Sequence, residues 1–190
     1  MIHYVTKLVV IIVCLVTSLI WCPTITEESE ATMESYSRYI SRPFIPPLQV
    51  SKQDTLCLAQ AIYYEAANQS ELGKEAVALV ITNRVYSKKY PKTICGVVRQ
   101  SHLVNEKRIC QFSYWCDDEL RKPIQDVWVQ SKEIAKRVLT NYWQRELIST
   151  PMHRALYYHA DYVNPKWRTE KVYIGKVGNH LFYTDRQNLT

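Results

Sequence analysis

Apolar residues recur every three or four positions over residues 51–98 and again over 123–142, and from about residue 155 the period changes. In the first periodic segment Leu58, Ala61, Ile62 and Glu65 fall at i, i+3, i+4 and i+7, so they share one face of a helix. Ser51, with Asp54 three residues later, reads as a capping box that opens this helix. A second helix is expected from Ser70, with Leu72, Ala76, Leu79, Val80 and Asn83 on one stripe. Pro91 ends the connection, and Thr93 caps a short third helix through Val98. Residues 100–122 lack clean periodicity and hold an aromatic loop between Cys110 and Cys116. Pro123 suits the first turn of a long helix that reaches about Tyr142, with Val127, Ile134 and Val138 facing inward. Leu156-Tyr157-Tyr158, Val172-Tyr173-Ile174 and Leu181-Phe182-Tyr183 then read as strands, with Val177-Gly178-Asn179 as the turn into the last. The fold class is α+β, helix-rich with small β elements toward the C-terminus.

Two segments of different character precede the helices. Residues 8–22 are uncharged throughout, with Lys7 before them and acids after. From Tyr4 to Pro23 the segment reaches the roughly 20 residues that cross a bilayer. A buried core helix fits poorly, because the acidic, Pro-containing stretch that follows gives it nothing to pack on. Ile20-Trp21-Cys22-Pro23 lacks the small residues of a signal-peptide cleavage site. We expect an uncleaved signal anchor with its N-terminus inside, since Lys7 and the amino terminus are the nearby positive charges. A cleaved signal peptide is the alternative. Residues 23–50 hold Pro23, Pro43, Pro46 and Pro47 among Ser, Thr and Glu and read as a flexible tether. The expected division is thus 1–22 signal anchor or signal peptide, 23–50 linker and 51–190 folded domain.

Charge and cysteine usage narrow the setting. The net charge is +6, and Glu27, Glu28, Glu30 and Glu34 cluster ahead of the domain, leaving the domain itself more basic. A basic surface suits an anionic polymer. No Lys/Arg block, zinc-finger spacing or RNA-binding signature accompanies the charge, so nucleic acid is not the expected partner. Outside the apolar segment stand four cysteines, Cys57, Cys95, Cys110 and Cys116, an even number that suits an oxidising compartment. Cys110 and Cys116 are close enough to staple a small loop, which leaves Cys57 and Cys95 as a second candidate pair; three pairings are formally open. No C-x2-C pair points to zinc.

Glu65 is the anomalous residue, a carboxylate on the apolar stripe of its helix. Burial and a place in the last turn, where the helix dipole is negative, both favour its protonated form. A carboxyl group kept neutral near pH 7 is what a general acid in sugar chemistry requires. Glycoside cleavage commonly pairs two carboxylates. Asp117, Asp118, Glu119 and Asp161 are the other acids near the motifs, and a turn-rich acidic cluster is more often merely solvated.

The segments L-C-L-A-Q-A-I-Y-Y-E-A-A, E-A-V-A-L-V-I-T-N-R-V, Y-P-K-T-I-C-G-V-V-R-Q, C-Q-F-S-Y-W-C-D-D, Y-Y-H-A-D-Y-V-N-P-K-W and I-G-K-V-G-N-H-L-F-Y follow one another in this chain. In that order they closely resemble the SleB-like cell wall hydrolases, the family of the spore-cortex-lytic enzymes, over residues 54–184. The family continues its glutamate as E-A-R-G-E, whereas this chain reads Glu65-Ala66-Ala67-Asn68-Gln69, with Asn68 able to supply a left-handed helix end. The resemblance implies that residues 51–190 are a catalytic domain with a lysozyme-like, lytic transglycosylase-like fold acting on peptidoglycan glycan strands. It implies a single catalytic Glu65, with no metal and no cofactor. Gln111, Phe112 and Ser113 would contact N-acetyl groups and sugar faces, and Tyr114 and Trp115 would stack on sugars or fill a satellite core. Tyr162 and Trp167 would line the glycan groove, and His159 would hydrogen-bond near Glu65. Asn83 and His180 would support the site. Such a wall enzyme would be anchored in the inner membrane with its domain in the periplasm or outside the cell, or secreted if the N-terminal segment is cleaved. The competing readings are a non-catalytic wall-binding module and a zinc amidase or peptidase using His153, His159 and His180.

Overall fold

The first three helices of the domain each begin where a short polar side chain takes up a free backbone N–H group. The structure, a computed structural model, describes residues 48–120, 122–140 and 151–188. The apolar segment at residues 8–22 and nearly all of the linker lie outside the described residues. Helix α1 (Lys52–Ala66) opens on a capping box, Ser51 Oγ accepting from Asp54 N at 3.0 Å and Asp54 Oδ2 from Ser51 N at 3.3 Å. Asp54 Oδ1 also accepts from Cys95 N at 3.0 Å, so one carboxylate caps α1 and ties it to α3 (Ile94–Val98). Ser70 caps α2 (Glu71–Tyr86) and Thr93 caps α3. Helix α4 (Gln125–Thr140) starts two residues after Pro123, and Tyr63 Oη accepts from Ile124 N at 2.9 Å ahead of its first turn.

The α2 stripe expected from periodicity is only part of what is buried. Ala76, Val77, Ala78, Leu79, Val80 and Ile81 are all fully buried, as befits a helix covered on every side. Val77, Ala78, Ile81 and Val85 pack with α1, α3 and α4 in one core, and Ala76, Leu79 and Val80 pack with Phe182, Met152 and Ala155 in a second. Leu72, expected on the inward stripe, is 48% exposed because it sits in the first turn, beyond the reach of either layer.

That second core is roofed by a three-stranded antiparallel sheet. Strands β3 (Tyr157–Ala160), β4 (Val172–Val177) and β5 (His180–Thr184) lie in the order β3-β5-β4. Gly178 makes the tight β4–β5 turn at φ 56°, where a Cβ would stand 2.4 Å from Gln69 Oε1. Gln69 Oε1 accepts from Asn179 N at 3.0 Å, which binds the loop after α1 to this turn. Asn68 does not take the left-handed conformation expected of it; the loop closes instead through Gln69 N donating to Ala66 O at 3.0 Å and the Ser70 cap.

Residues 101–110 form a hairpin that the periodicity did not announce, β1 (Ser101–Val104) and β2 (Lys107–Cys110). Asn105 and Glu106 turn it with positive φ of 48° and 65°. Its side chains are exposed on both faces apart from Cys110, so no alternation of apolar and polar residues marks it. Of the three pairings left open, the structure forms the one in which Cys110 bonds to its near neighbour Cys116 and Cys57 bonds to Cys95.

Candidate active site

Leu58, Ala61 and Ile62 direct the apolar face of α1 into the core, and Glu65, one turn on, sits where that face meets the sheet. Its carboxyl is partly exposed, and Tyr158 Oη donates to Glu65 Oε2 at 3.0 Å. Burial holds the Glu65 pKa above the ordinary carboxyl range, opposed by the Tyr158 hydrogen bond and the positive charge of Arg84. These two groups, rather than a second carboxylate, act on the Glu65 proton.

Arg84 is buried between two aromatic rings, its guanidinium 5.2 Å from the Tyr90 centroid and 5.6 Å from that of Phe112. Its Nε donates to Leu156 O at 2.8 Å, which fixes the entry to β3 two residues before Tyr158. Asn83 works beside it, donating from Nδ2 to Ala155 O at 2.8 Å and to Met152 O at 3.1 Å. These bonds make Asn83 a backbone brace on the segment that carries Tyr158. Tyr114 lies near the same carboxyl, buried and stacked on Tyr64 with centroids 4.6 Å apart. Burial pushes its phenol pKa upward, with the charge of Glu65 adding to the effect.

Strand alternation corrects the expected role of His159. Tyr158 points from β3 to Glu65, so its neighbours Tyr157 and His159 point to the other face of the sheet. Both ring nitrogens of His159 are engaged there, Nδ1 with Ala160 O at 2.8 Å and Nε2 with Tyr183 Oη at 3.0 Å. Trp167 packs on the same side, 5.5 Å from His159. Tyr162 is 86% exposed on the loop after β3. His180 lies on the Glu65 side and meets the Tyr158 ring at 5.2 Å, with burial lowering its imidazole pKa.

The aromatic loop divides in the same way. Phe112, expected to face sugars, is 2% exposed and belongs to the helical core beneath Arg84. Gln111 and Ser113 flank it and are exposed. Trp115 packs on that core under the Arg99 guanidinium, which lies 4.8 Å from its ring. Sequence reasoning missed Tyr158 and Arg84.

Among the described residues no group of three or more His, Cys, Asp and Glu is placed to hold a metal ion. His153 accepts from Arg154 Nε at 3.0 Å, and His159 and His180 lie on opposite faces of the sheet.

A family model described as cell wall hydrolase matches residues 68–183, beginning just after Glu65. A spore cortex-lytic enzyme of Bacillus cereus is 30% identical over 140 residues, covering 72% of this chain and 46% of that protein. The Bacillus subtilis spore cortex-lytic enzyme is 28% identical over 136 residues, covering 70% and 38%. The chain thus spans less than half the length of these relatives. Among solved structures, the catalytic domain of the germination-specific lytic transglycosylase SleB from Bacillus anthracis superposes with a TM-score of 0.55 at 29% identity, over 73% of this chain and 100% of that one. The Bacillus cereus SleB catalytic domain gives 0.54 at 28% identity, over 76% and 99%.

Proposed function

The chain belongs to the cell wall hydrolase family, and we propose that it cleaves the glycan backbone of peptidoglycan as a lytic transglycosylase with Glu65 as its catalytic acid and base. The observation that carries the proposal is Glu65 on the apolar face of α1, its pKa raised by burial and Tyr158 on one of its oxygens. In the first step Glu65 gives its proton to the glycosidic oxygen as the bond to the muramyl C1 breaks. The resulting carboxylate then takes the proton of the C6 hydroxyl of the same sugar, whose oxygen bonds to C1. The product is a 1,6-anhydro sugar, and Glu65 ends protonated with no water consumed. One carboxyl serves both steps, which accords with two neighbours that are a phenol and a guanidinium. Gln111 and Ser113, exposed on the segment leading to Tyr114, are proposed contacts for N-acetyl groups.

Mass spectrometry of fragments released from purified murein tests this reading. Anhydro-muramyl ends are expected. Reducing ends would make the protein a hydrolase, freed stem peptides an amidase, and no products a binding module.

Tyr158→Phe probes the acid itself. The lost hydrogen bond favours the carboxylate, so its removal raises the Glu65 pKa further. The alkaline limb of the kcat profile, where the acid loses its proton, should move to higher pH. The maximal rate should fall about tenfold, the worth of one hydrogen bond to a charge that forms during the reaction. An alkaline limb that moves downward would contradict the assignment.

We further propose that residues 8–22 anchor the enzyme in the inner membrane with the domain outside. The uncharged span, Lys7 before it and Glu27, Glu28, Glu30 and Glu34 after it support this orientation, and two disulfides suit an exported domain. Alkaline phosphatase fused after residue 50 should be active in an exporting bacterium, with the full-length protein recovered in membranes. A mature N-terminus beginning after Cys22 would identify a cleaved signal peptide instead.

A further inference from the structure

The sheet has a second face lined by aromatic rings. Its inner face carries Tyr158, His180 and Phe182 against α2 and Glu65. Its outer face carries Tyr157 and His159 from β3, Tyr183 from β5 and Tyr173 from β4, brought side by side by the pairings Tyr157↔Tyr183 and Tyr173↔Tyr183. Trp167, from the 3-10 turn Lys166–Glu170, lies over them with centroids 5.5 Å from His159, 5.6 Å from Tyr183 and 5.8 Å from Tyr157. Trp167 covers His159 and Tyr183, which are buried, while Tyr173 is 54% exposed and Trp167 itself is partly exposed, so these two rings are the accessible part of the layer.

A sheet face meant only for water carries polar residues in alternation, whereas this one concentrates aromatic rings. Cations surround them. Lys171 Nζ lies 4.4 Å from the Tyr157 centroid, Lys176 extends from the same face, and Lys166 and Arg168 flank Trp167 in the exposed turn. Two nearby acids are already paired, Asp185 with Lys171 and Lys89 and Asp161 with Lys176. Glu170 is the remaining acid of the turn, against the exposed Lys166 and Arg168.

We propose that this outer face, with Trp167 and Tyr173 as its platform and Lys166 and Arg168 on its rim, binds glycan strands of the cell wall away from the point of cleavage. The C–H faces of a pyranose ring are apolar and slightly electropositive, and they stack on the negative faces of aromatic rings. The free carboxylates of the stem peptides meet the cationic rim. Glu65 lies across the sheet from this layer, so a strand held here is retained rather than cut. This second site lengthens the enzyme's stay on an insoluble polymer after each cleavage, by the gain in effective concentration that two contacts on one polymer give. The glycan as occupant rests on the function proposed above.

The test is sedimentation with purified murein, using full-length protein that carries Glu65→Gln so that the polymer stays intact. Tyr173→Ser changes a largely exposed ring, and Lys166→Glu with Arg168→Glu reverses the rim. Each variant is compared by thermal melting with its parent. Half-saturation should rise at least about fivefold in both, an effect of the order of one lost contact, with melting temperatures unchanged. The rim variant alone should lose its deficit at high salt, where surface charges are screened. Unchanged binding in both variants overturns the proposal. So does equal or tighter binding to a single-stranded oligonucleotide that falls in the same variants, which would make the face a nucleic-acid surface. Failure of the catalytic reading gives a separate result: Glu65→Gln would still release fragments, while the binding series on the outer face is read independently.

Discussion

Glu65→Gln is expected to lower the release of glycan fragments by about a thousandfold, within the range that a general acid–base group contributes, while murein binding and folding persist. Gln keeps the shape and can accept the Tyr158 hydrogen bond, but it has no proton to give to the leaving oxygen and no charge with which to take one back. Stability provides an independent sign. The folded-state pKa of Glu65 lies above its ordinary value of 4.5, so between those two values the folded protein holds more protons than the unfolded chain. The stability contributed by Glu65 is therefore complete below the ordinary value and is lost as pH rises through the folded one. Above that window the folded protein bears the cost of a half-buried anion, which the amide does not. At neutral pH Glu65→Gln should melt no lower than the wild type, and the difference between them should shrink as the pH falls toward 4. Fragment release at the wild-type rate would remove Glu65 from the chemistry. A large fall in melting temperature would mean that the carboxylate is a structural ion partner.

How far this site could be read in advance depended on what each segment packs against. Glu65 stood out because α1 buries a single face, so one polar residue on that face is visible as an anomaly. The strands gave a weaker signal. Tyr157, Tyr158 and His159 are all large and all compatible with burial, and a shift of one residue exchanges the inner and outer faces of a strand. His159 was therefore assigned to the Glu65 side when Tyr158 occupies it. The neighbours of Asn83 and Phe112 were hidden for a related reason. Both lie on elements buried from several sides, so their neighbours are set by tertiary packing and not by the period of their own helix or loop. The β1–β2 hairpin left no pattern at all because almost none of it is buried, and its turn is made by Asn105-Glu106 without a glycine. The helix caps were legible residue by residue, since Ser51, Asp54, Ser70 and Thr93 satisfy backbone groups within three residues of themselves.

Removal of the Cys57–Cys95 bridge is expected to cost about twice as much stability as removal of Cys110–Cys116. The two differ in the loop they close, with sequence separations of 38 and 6. On the chain-entropy account these correspond to about 4 and about 2 kcal/mol of unfolded-state restriction. Cys57 is fully buried on α1 and Cys95 lies in the first turn of α3, where the Asp54 carboxylate makes a second tie between the same two helices. Cys57→Ala with Cys95→Ala should therefore lower the melting temperature by about 10 °C or more in a domain of this size. Cys110→Ala with Cys116→Ala should lower it by about half as much. The short bridge lies nearer Glu65, because it closes the loop that carries Tyr114, whose phenol feels the Glu65 charge. Its loss is expected to reduce turnover beyond what the change in stability accounts for, whereas loss of the long bridge should act through stability alone. Calorimetry and murein turnover on both pairs of variants, measured well below their melting temperatures, separate the two effects. Nonreducing peptide mapping of protein recovered from the periplasm should yield both linkages. Four free thiols in that compartment, or a Cys57→Ala/Cys95→Ala protein that melts with the wild type, would show that the bridges neither form there nor hold α1 against α3.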